Sequence, residues 1–492
     1  MNTRLYINGA FVDSGIGQDI IDPSLGEPFC RVSVASDKEA REALVSARAA
    51  FDKGVWQGMA LAERAEALHR IAQGILDNAA QLAQLETKNT GKPIKESTFM
   101  DVPSSAQSFR YFAEHLQEFL AEEQRLLENG RSRLVRSPHG VALLIVPWNY
   151  PLLIASWKMA QALAAGNTVI LKPSSLTPST ALALAGIIHE AGLPAGVVNV
   201  INGPGAGIGK YLCQDPRVDM VSFTGGNAAG RQILGYCSGH VKKLIMELGG
   251  KSAAVVLADA DIEVSTNSLL CSIYLNQGQM CTAMSRIFVH ESIFDAFLDS
   301  FAAKARRIKL GIGMDYQSQM GPLISASQRQ QVLSYIRKAS SEGAQLICGG
   351  RVPADEGLQG GYFLEPAVFT GITQESALFH EEIFGPVACI GRFSSLDEAV
   401  DLANCSDFGL AASVWSRDTA AAENVARRIS AGTVWVNTYG MFYNEVPYGG
   451  FKQSGFGKEL GREGFYEYTR LQNILIDTTP DGKPLVNYWY GF

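Results

Sequence analysis

Cys281 closes a short turn, Asn276-Gln277-Gly278-Gln279-Met280-Cys281-Thr282-Ala283, that follows the apolar run from Leu269 to Leu275. A cysteine attacks carbon only as a thiolate, and a reactive thiolate needs a polar or electropositive setting within reach of substrate. The chain has eight cysteines, and most cysteines in folded proteins are small, inert core fillers. Cys281 stands apart because other segments of the chain carry side chains that could serve it.

Pro147-Trp148-Asn149-Tyr150-Pro151 follows an unbroken apolar run, 141–146. The prolines stiffen the turn, and a fixed neutral amide such as Asn149 suits an oxyanion hole. Taken alone, it is equally a turn-forming asparagine. Leu171-Lys172-Pro173-Ser174-Ser175 puts a lysine after the next apolar run, where it can bond a ribose or balance a phosphate, or simply be a solvated lysine. Phe223-Thr224-Gly225-Gly226-Asn227-Ala228-Ala229-Gly230 joins a strand pattern to a helix pattern. Glycines there let a pyrophosphate approach backbone N–H groups at a helix start. The strict Gly-x-Gly-x-x-Gly fingerprint is missing, and Gly203-Pro204-Gly205-Ala206-Gly207-Ile208-Gly209 approaches it without fitting. In Met246-Glu247-Leu248-Gly249-Gly250-Lys251-Ser252 an acid ends an apolar strand. Partial desolvation raises such a carboxyl towards the range of a general base, the plain alternative being a capping or ion-paired carboxylate. In Glu381-Glu382-Ile383-Phe384-Gly385-Pro386 a carboxylate can accept ribose hydroxyls and a phenylalanine can back a flat ring.

Alternating strands and helices must position these segments. Strand patterns cover Val141–Val146, Thr168–Leu171, Val197–Ile201, Met220–Phe223 and Leu244–Glu247, with helical patterns at Leu152–Ala165, Ser179–Ala191, Ile208–Cys213 and Gly230–Gly235 between them. That order is the mark of an α/β fold whose parallel sheet is covered by helices on both faces. Ligands of such sheets sit beyond the carboxyl ends of the strands, where the segments above lie. Upstream, helices are expected over Asp37–Phe51, capped by Ser36 or Asp37, and over Leu61–Asn78, Leu82–Thr90 and Met100–Glu123. Residues 4–22 read as short strands about a turn. Downstream, a second α/β series runs from Lys251 to Phe451. Its helices are expected near 262–275, 292–307, 326–341, 396–403 and 419–430, and its strands near 286–289, 387–390 and 433–436. Thr469–Asp477 alternates like a strand, and Tyr488, Trp489, Tyr490 and Phe492 suggest docking on another copy of the chain.

A chain of 492 residues suits about two to four domains. With 47% hydrophobic and 18% charged residues it is an ordinary globular composition. A net charge of −7 speaks against a nucleic-acid partner. The first residues lack the apolar core of a signal peptide, and the most apolar window, Val141–Ala165, is interrupted by Pro147, Asn149, Pro151 and Lys158, so no membrane span is expected. The cysteines are scattered without metal-ligand spacing, which points to free thiols in the cytoplasm and no metal requirement.

The segments, in this order over nearly the whole chain, resemble the aldehyde dehydrogenase superfamily. The resemblance implies that Cys281 is the nucleophile, Glu247 the general base, and Asn149 with the Cys281 backbone N–H the oxyanion hole. It further implies that Lys172 and Glu382 hold cofactor riboses, with Lys172 counted also among the catalytic set. Pro147, Trp148, Ser175, Phe223, Thr224, Gly225, Gly226, Gly230, Leu248 and Phe384 complete the cofactor site. The implied fold has a Rossmann-like cofactor domain (1–123 and 141–250), an α/β catalytic domain (251–451), and a small β oligomerisation flap with the C-terminal tail (124–140 and 452–492). The implied assembly is a homodimer or homotetramer. In the implied chemistry the thiolate adds to an aldehyde, hydride leaves to a nicotinamide, and water activated by Glu247 releases the acid from a thioester. A His-assisted cysteine hydrolase would need a histidine in a comparable motif, and none is present. A CoA-acylating dehydrogenase of the same fold would lack Glu247, and a non-catalytic reuse of the fold would have lost the nucleophile or base.

Two finer expectations follow. Ser175 stands where NAD-preferring members often carry a glutamate, so NAD is expected to work and NADP to be tolerated. Tyr150 and Trp157, seven apart, share a helix face, and Tyr448 matches another substrate-tunnel position. Relatives acting on betaine aldehyde or aminoaldehydes cage a cation with such rings. Leu275 replaces a further aromatic of the plant members, and a neutral aromatic or aliphatic aldehyde fits the rings equally.

Overall fold

The computed structural model describes residues 2–479 and places them around two large sheets. The first has eight strands in the order Ala10–Val12, Leu5–Ile7, Val198–Val200, Thr168–Lys172, Val141–Ile145, Met220–Thr224, Lys243–Glu247 and Gly455–Phe456. The five central strands run parallel. Val141–Ile145 and Thr168–Lys172 are buried along their whole length, as strands covered on both faces must be. The parallel part starts in the middle with Val141–Ile145, builds outward to Val198–Val200, then returns to lay Met220–Thr224 on the other side of Val141–Ile145. This reversal opens a crevice beyond the strand ends. Lys172 is level with Ile145, Ile145 with Phe223, and Thr224 with Glu247, so the segments picked out in the sequence emerge at one edge.

The second sheet has seven strands, in the order Gln345–Cys348, Ala367–Thr370, Val387–Phe393, Arg286–His290, Ala253–Val256, Ala411–Trp415 and Thr433–Val436. Only its edge strand Gln345–Cys348 is antiparallel. A third, three-stranded sheet pairs Thr469–Asp477 with Gly130–Pro138, which in turn pairs with Glu123–Leu127. Glu123–Leu127 and Gly130–Pro138 form a hairpin, and the strand-like tail joins it. Only this last part of the stretch after 452 joins the hairpin. Gly455–Phe456 pairs with Lys243–Glu247, and the helix Gly461–Glu467 packs on the helices Val102–Phe119 and Pro151–Ala165. The aromatic positions 488–492 lie outside the described residues.

Ser36 caps Asp37–Asp52 through a reciprocal bond set with Glu39. The helix expected from Met100 spans Val102–Phe119 instead, entered through a wide turn at Ser97–Asp101, and the chain turns to strand at Glu123. A similar wide turn, Gly205–Gly209, shortens the expected helix near 208 to Lys210–Gln214. Among the described residues no helix is long and apolar enough to cross a membrane.

Candidate active site

Cys281 follows three successive residues in the left-handed region, Asn276, Gln277 and Gly278, with φ of 46°, 59° and 72°. Only glycine fits at 278, because a Cβ there would stand 2.2 Å from the Gly385 carbonyl oxygen. This turn breaks the helix Ile262–Tyr274 and presents Cys281, partly exposed, to a cavity of about 600 Å³. The sulfur lies 3.3 Å from the Tyr448 hydroxyl. Burial pushes the thiol up to about 12, the Tyr448 contact pulls it down, and the carboxylates of Glu382 and Glu247 push it further up.

Asn149, 5% exposed, follows the strand Val141–Ile145 and donates one amide hydrogen to the Gln279 carbonyl at 2.8 Å. Asn276 in turn donates to the Asn149 carbonyl at 2.9 Å. One hydrogen of the Asn149 amide is therefore spent on orientation, which leaves the other as a pre-aimed donor. Glu247 ends its strand 3% exposed, and neither carboxylate oxygen has a hydrogen-bond partner among the described residues. Burial above all, then the Glu459 carboxylate, holds Glu247 well above the usual carboxylate range, while Lys158 pulls the other way. Cys281 and Glu247 line the same cavity, with Tyr150, Trp157 and Tyr448 among its walls.

Behind Glu247 is a buried polar network that sequence reasoning missed. Lys158 Nζ donates to Glu459 at 2.6 Å and to Ser222 at 2.7 Å, and Gln161 donates to the other Glu459 oxygen at 2.7 Å. The signal was a lysine inside the apolar helix Pro151–Ala165, which a globular core tolerates only with a partner. The partner sits 301 residues further on, beyond the reach of any local pattern. Thr282 and Tyr439, bonded to each other at 3.2 Å, were also missed.

The remaining predicted residues gather where a dinucleotide would lie. Lys172, 3% exposed, donates among the described residues only to its neighbour's carbonyl, Pro173 at 3.1 Å, and burial brings its ammonium down to about 8. Glu382 accepts from the Gly250 N–H at 3.0 Å, and burial raises it to about 7 against the pull of that bond and of Lys251. A Cβ on Gly249 would stand 2.2 Å from a Glu382 oxygen, so the glycine clears that carboxylate's place. Trp148 and Phe384 meet edge to face at 5.1 Å between ring centres. Gly226 opens the helix Asn227–Cys237 with nothing within 4 Å of a Cβ added to it, and Gly225 sits over the Phe223 ring. Thr224 and Leu248 line the cavity between this region and Cys281. Ser175 is partly exposed, and its carbonyl accepts from Gln18 at 2.8 Å. Gly230 sits apart from the open face. It is buried, a Cβ there would stand 2.6 Å from Leu248 Cδ2, and so it lets the helix close on the strand. A lysine and a carboxylate with bonding capacity to spare, and an open glycine at a helix start, suit the two riboses and the pyrophosphate of a nicotinamide dinucleotide.

The tunnel walls are aromatic. Trp157 lies 5.9 Å from Tyr448 and 5.8 Å from Phe442, and Phe442 lies 5.5 Å from Tyr448. The Tyr150 hydroxyl is buried without a partner among the described residues, and its ring carries the Lys92 ammonium 3.9 Å from the ring centre. Leu275, in place of a further ring, packs into the second sheet's core.

The model of the aldehyde dehydrogenase family matches residues 11–474. The chain is 41% identical to betaine aldehyde dehydrogenase of Bacillus subtilis, over 98% of each chain. It is 40% identical to 2-hydroxymuconic semialdehyde dehydrogenase of a Pseudomonas strain, over 96% of this chain and 98% of the other. A crystal structure of betaine aldehyde dehydrogenase from Staphylococcus aureus with NAD+ superposes with a TM-score of 0.96, at 38% identity, over 99% of this chain and 97% of that one.

Proposed function

The chain belongs to the aldehyde dehydrogenase family, as an NAD-dependent oxidoreductase that takes an aldehyde to its carboxylic acid, and from that membership we propose how its own residues divide the work. Cys281 is the nucleophile. Its sulfur bonds to the carbonyl carbon as the thiol proton passes to water in the cavity, and the new alkoxide is held by the free Asn149 amide hydrogen and the Cys281 N–H. Bound NAD+ supplies the hydride acceptor that turns this adduct into a thioester. Glu247, as carboxylate, takes a proton from water as the water oxygen bonds to the thioester carbon, and the C–S bond breaks to release the acid and the Cys281 thiolate. Burial disfavours the charged forms of both Cys281 and Glu247, which raises the basicity of each once it is ionised. Lys172 and Glu382 hold the cofactor riboses, with Lys172 also steadying the catalytic edge of the sheet.

The observation that carries these roles is the convergence of Cys281, Glu247 and the aromatic walls on one cavity of about 600 Å³. Two substitutions test it. Cys281→Ala abolishes formation of reduced nicotinamide. Glu247→Gln keeps a first-turnover burst but slows steady turnover by about 100-fold or more, within the range of a lost general base. Equal loss of burst and turnover in Glu247→Gln would remove glutamate from the hydrolysis step.

The substrate is an aldehyde without a carboxylate. Of the cavity's lysine and acids, Lys158 is bonded to Glu459 and Asp101 to Lys92, while Glu445 sits exposed on the wall among Phe442, Tyr443 and Tyr448. Among the described residues a cationic or neutral body meets ring faces and an acid there, whereas a carboxylate meets no free cation. NADP is accepted beside NAD, because the Ser175 side chain adds no negative charge against a 2′-phosphate. The protein works in the cytoplasm as a homodimer or homotetramer joined through the three-stranded sheet.

A further inference from the structure

Glu96 lies in the short turn Ile94–Glu96, 8% exposed, and belongs to none of the segments assigned above. Its Oε2 accepts from the backbone N–H of Asn276 at 3.1 Å. Asn276 begins the left-handed run that precedes Cys281. Left-handed residues other than glycine are strained, and they persist only where the surroundings over-determine them. Asn276 is held from both sides. Glu96 fixes its N–H, while its side-chain amide donates to the Asn149 carbonyl at 2.9 Å and reaches the Gln279 carbonyl at 3.4 Å. That same Gln279 carbonyl takes the orienting bond of the Asn149 amide at 2.8 Å. A continuous chain of hydrogen bonds therefore runs from Glu96 through Asn276 to Asn149 and Gln279.

We propose that Glu96 is a positioning residue for the acylation step: by holding Asn276 it fixes the left-handed turn, and through the turn it sets Cys281 and the Asn149 amide in register with each other. This rests on the roles given to Cys281 and Asn149 above. An acceptor oxygen is what the task requires, and the surroundings agree. Glu96 shares its pocket with the Lys92–Asp101 pair, bonded at 2.7 Å, and lies near Lys95 and Tyr150. Burial lifts its carboxyl to about 8, so at neutral pH it serves mainly through a carbonyl-type oxygen. A glutamine offers the same oxygen, while an alanine strands a buried N–H.

The test compares Glu96→Gln, Glu96→Ala and Asn276→Gly in the full-length enzyme with NAD and a good aldehyde substrate. The readouts are the pre-steady-state burst rate, the alkylation rate of Cys281 by iodoacetamide, and the dissociation constant for NAD. Glu96→Ala should slow the burst by about 10- to 100-fold, the cost of a misplacement near 1 Å, with NAD affinity within about twofold. Glu96→Gln should restore the burst to within about threefold of the parent enzyme. Asn276→Gly keeps the turn and its N–H but cuts the link to Asn149, so it should slow the burst in the same way even if Glu96→Ala does not fold. An unchanged burst in Glu96→Ala or in Asn276→Gly overturns the proposal, and so does a Glu96→Gln variant as slow as the alanine. Cys281→Ala keeps the two levels apart. If it retains the burst, the nucleophile assignment fails; if it loses the burst while Glu96→Ala keeps it, only the positioning role fails.

Discussion

Cys281 carries a thiol pushed up to about 12, chiefly by burial. Below its pKa, the thiolate fraction rises about tenfold for each pH unit. Alkylation of the cofactor-free enzyme should therefore accelerate about tenfold per unit from pH 7 to pH 9, with no plateau, as read by the second-order rate constant with iodoacetamide. A plateau by pH 8 would mean that a neighbouring group stabilises the thiolate far more than the Tyr448 hydroxyl at 3.3 Å does. Cys281, Glu247 and Asn149 drew notice in the sequence because each sits at or just after the end of an apolar run. Chemistry at the end of a buried strand has few plain explanations. Lys158, Glu459 and Glu96 were not legible, because each acts through a partner far away in the chain: 301 residues for Lys158 and Glu459, and 180 for Glu96 and Asn276.

At the scale of elements, the helix Pro151–Ala165 does two jobs. Its core face anchors Lys158 and Gln161, and its open side puts Leu153, Ile154 and Trp157 on the tunnel wall, just after Tyr150. Tyr150 already carries Lys92 over its ring, and Trp157, Phe442 and Tyr448, with Phe99 and Tyr443, are the other rings lining the cavity. Three aldehydes of matched length test this wall: one with a quaternary ammonium, one with its uncharged carbon isostere, and one with a carboxylate. The carboxylate should lose about tenfold or more in kcat/KM against the neutral compound, near 1.4 kcal/mol. A carboxylate favoured over both would call for a cation the wall does not offer. The alternation of strands and helices was read correctly in outline, but Ala253–Val256, Gln345–Cys348, Ala367–Thr370 and Ala411–Trp415 were not anticipated. Ala253–Val256 and Ala411–Trp415 are rich in alanine, a poor strand former, and gain their strand geometry from the parallel neighbours on either side.

Across the whole molecule, the three-stranded sheet stands out for what it leaves uncovered. Leu126 is 86% exposed and Leu475 63%, with Leu127, Leu471 and Ile474 also open. Single exposed leucines are ordinary, but a row of them on one small sheet suits burial against a second copy. Leu471→Lys combined with Leu475→Lys should shift the protein towards monomer in sedimentation velocity while leaving its far-UV circular dichroism unchanged. An unaltered sedimentation coefficient would place the contact elsewhere.

The late pairing of Lys158 has a consequence for synthesis. A domain emerging from the ribosome tends to fold as soon as its own contacts are available. The strands Val141–Ile145 to Lys243–Glu247 emerge early and could close around Lys158 at once, yet its counter-charge emerges 301 residues later. Until then the helix Pro151–Ala165 holds an ammonium that it cannot bury without heavy cost. The charge-balanced form of the chamber behind Glu247 therefore needs Glu459, which the chain supplies only after the second sheet and the nucleophile turn.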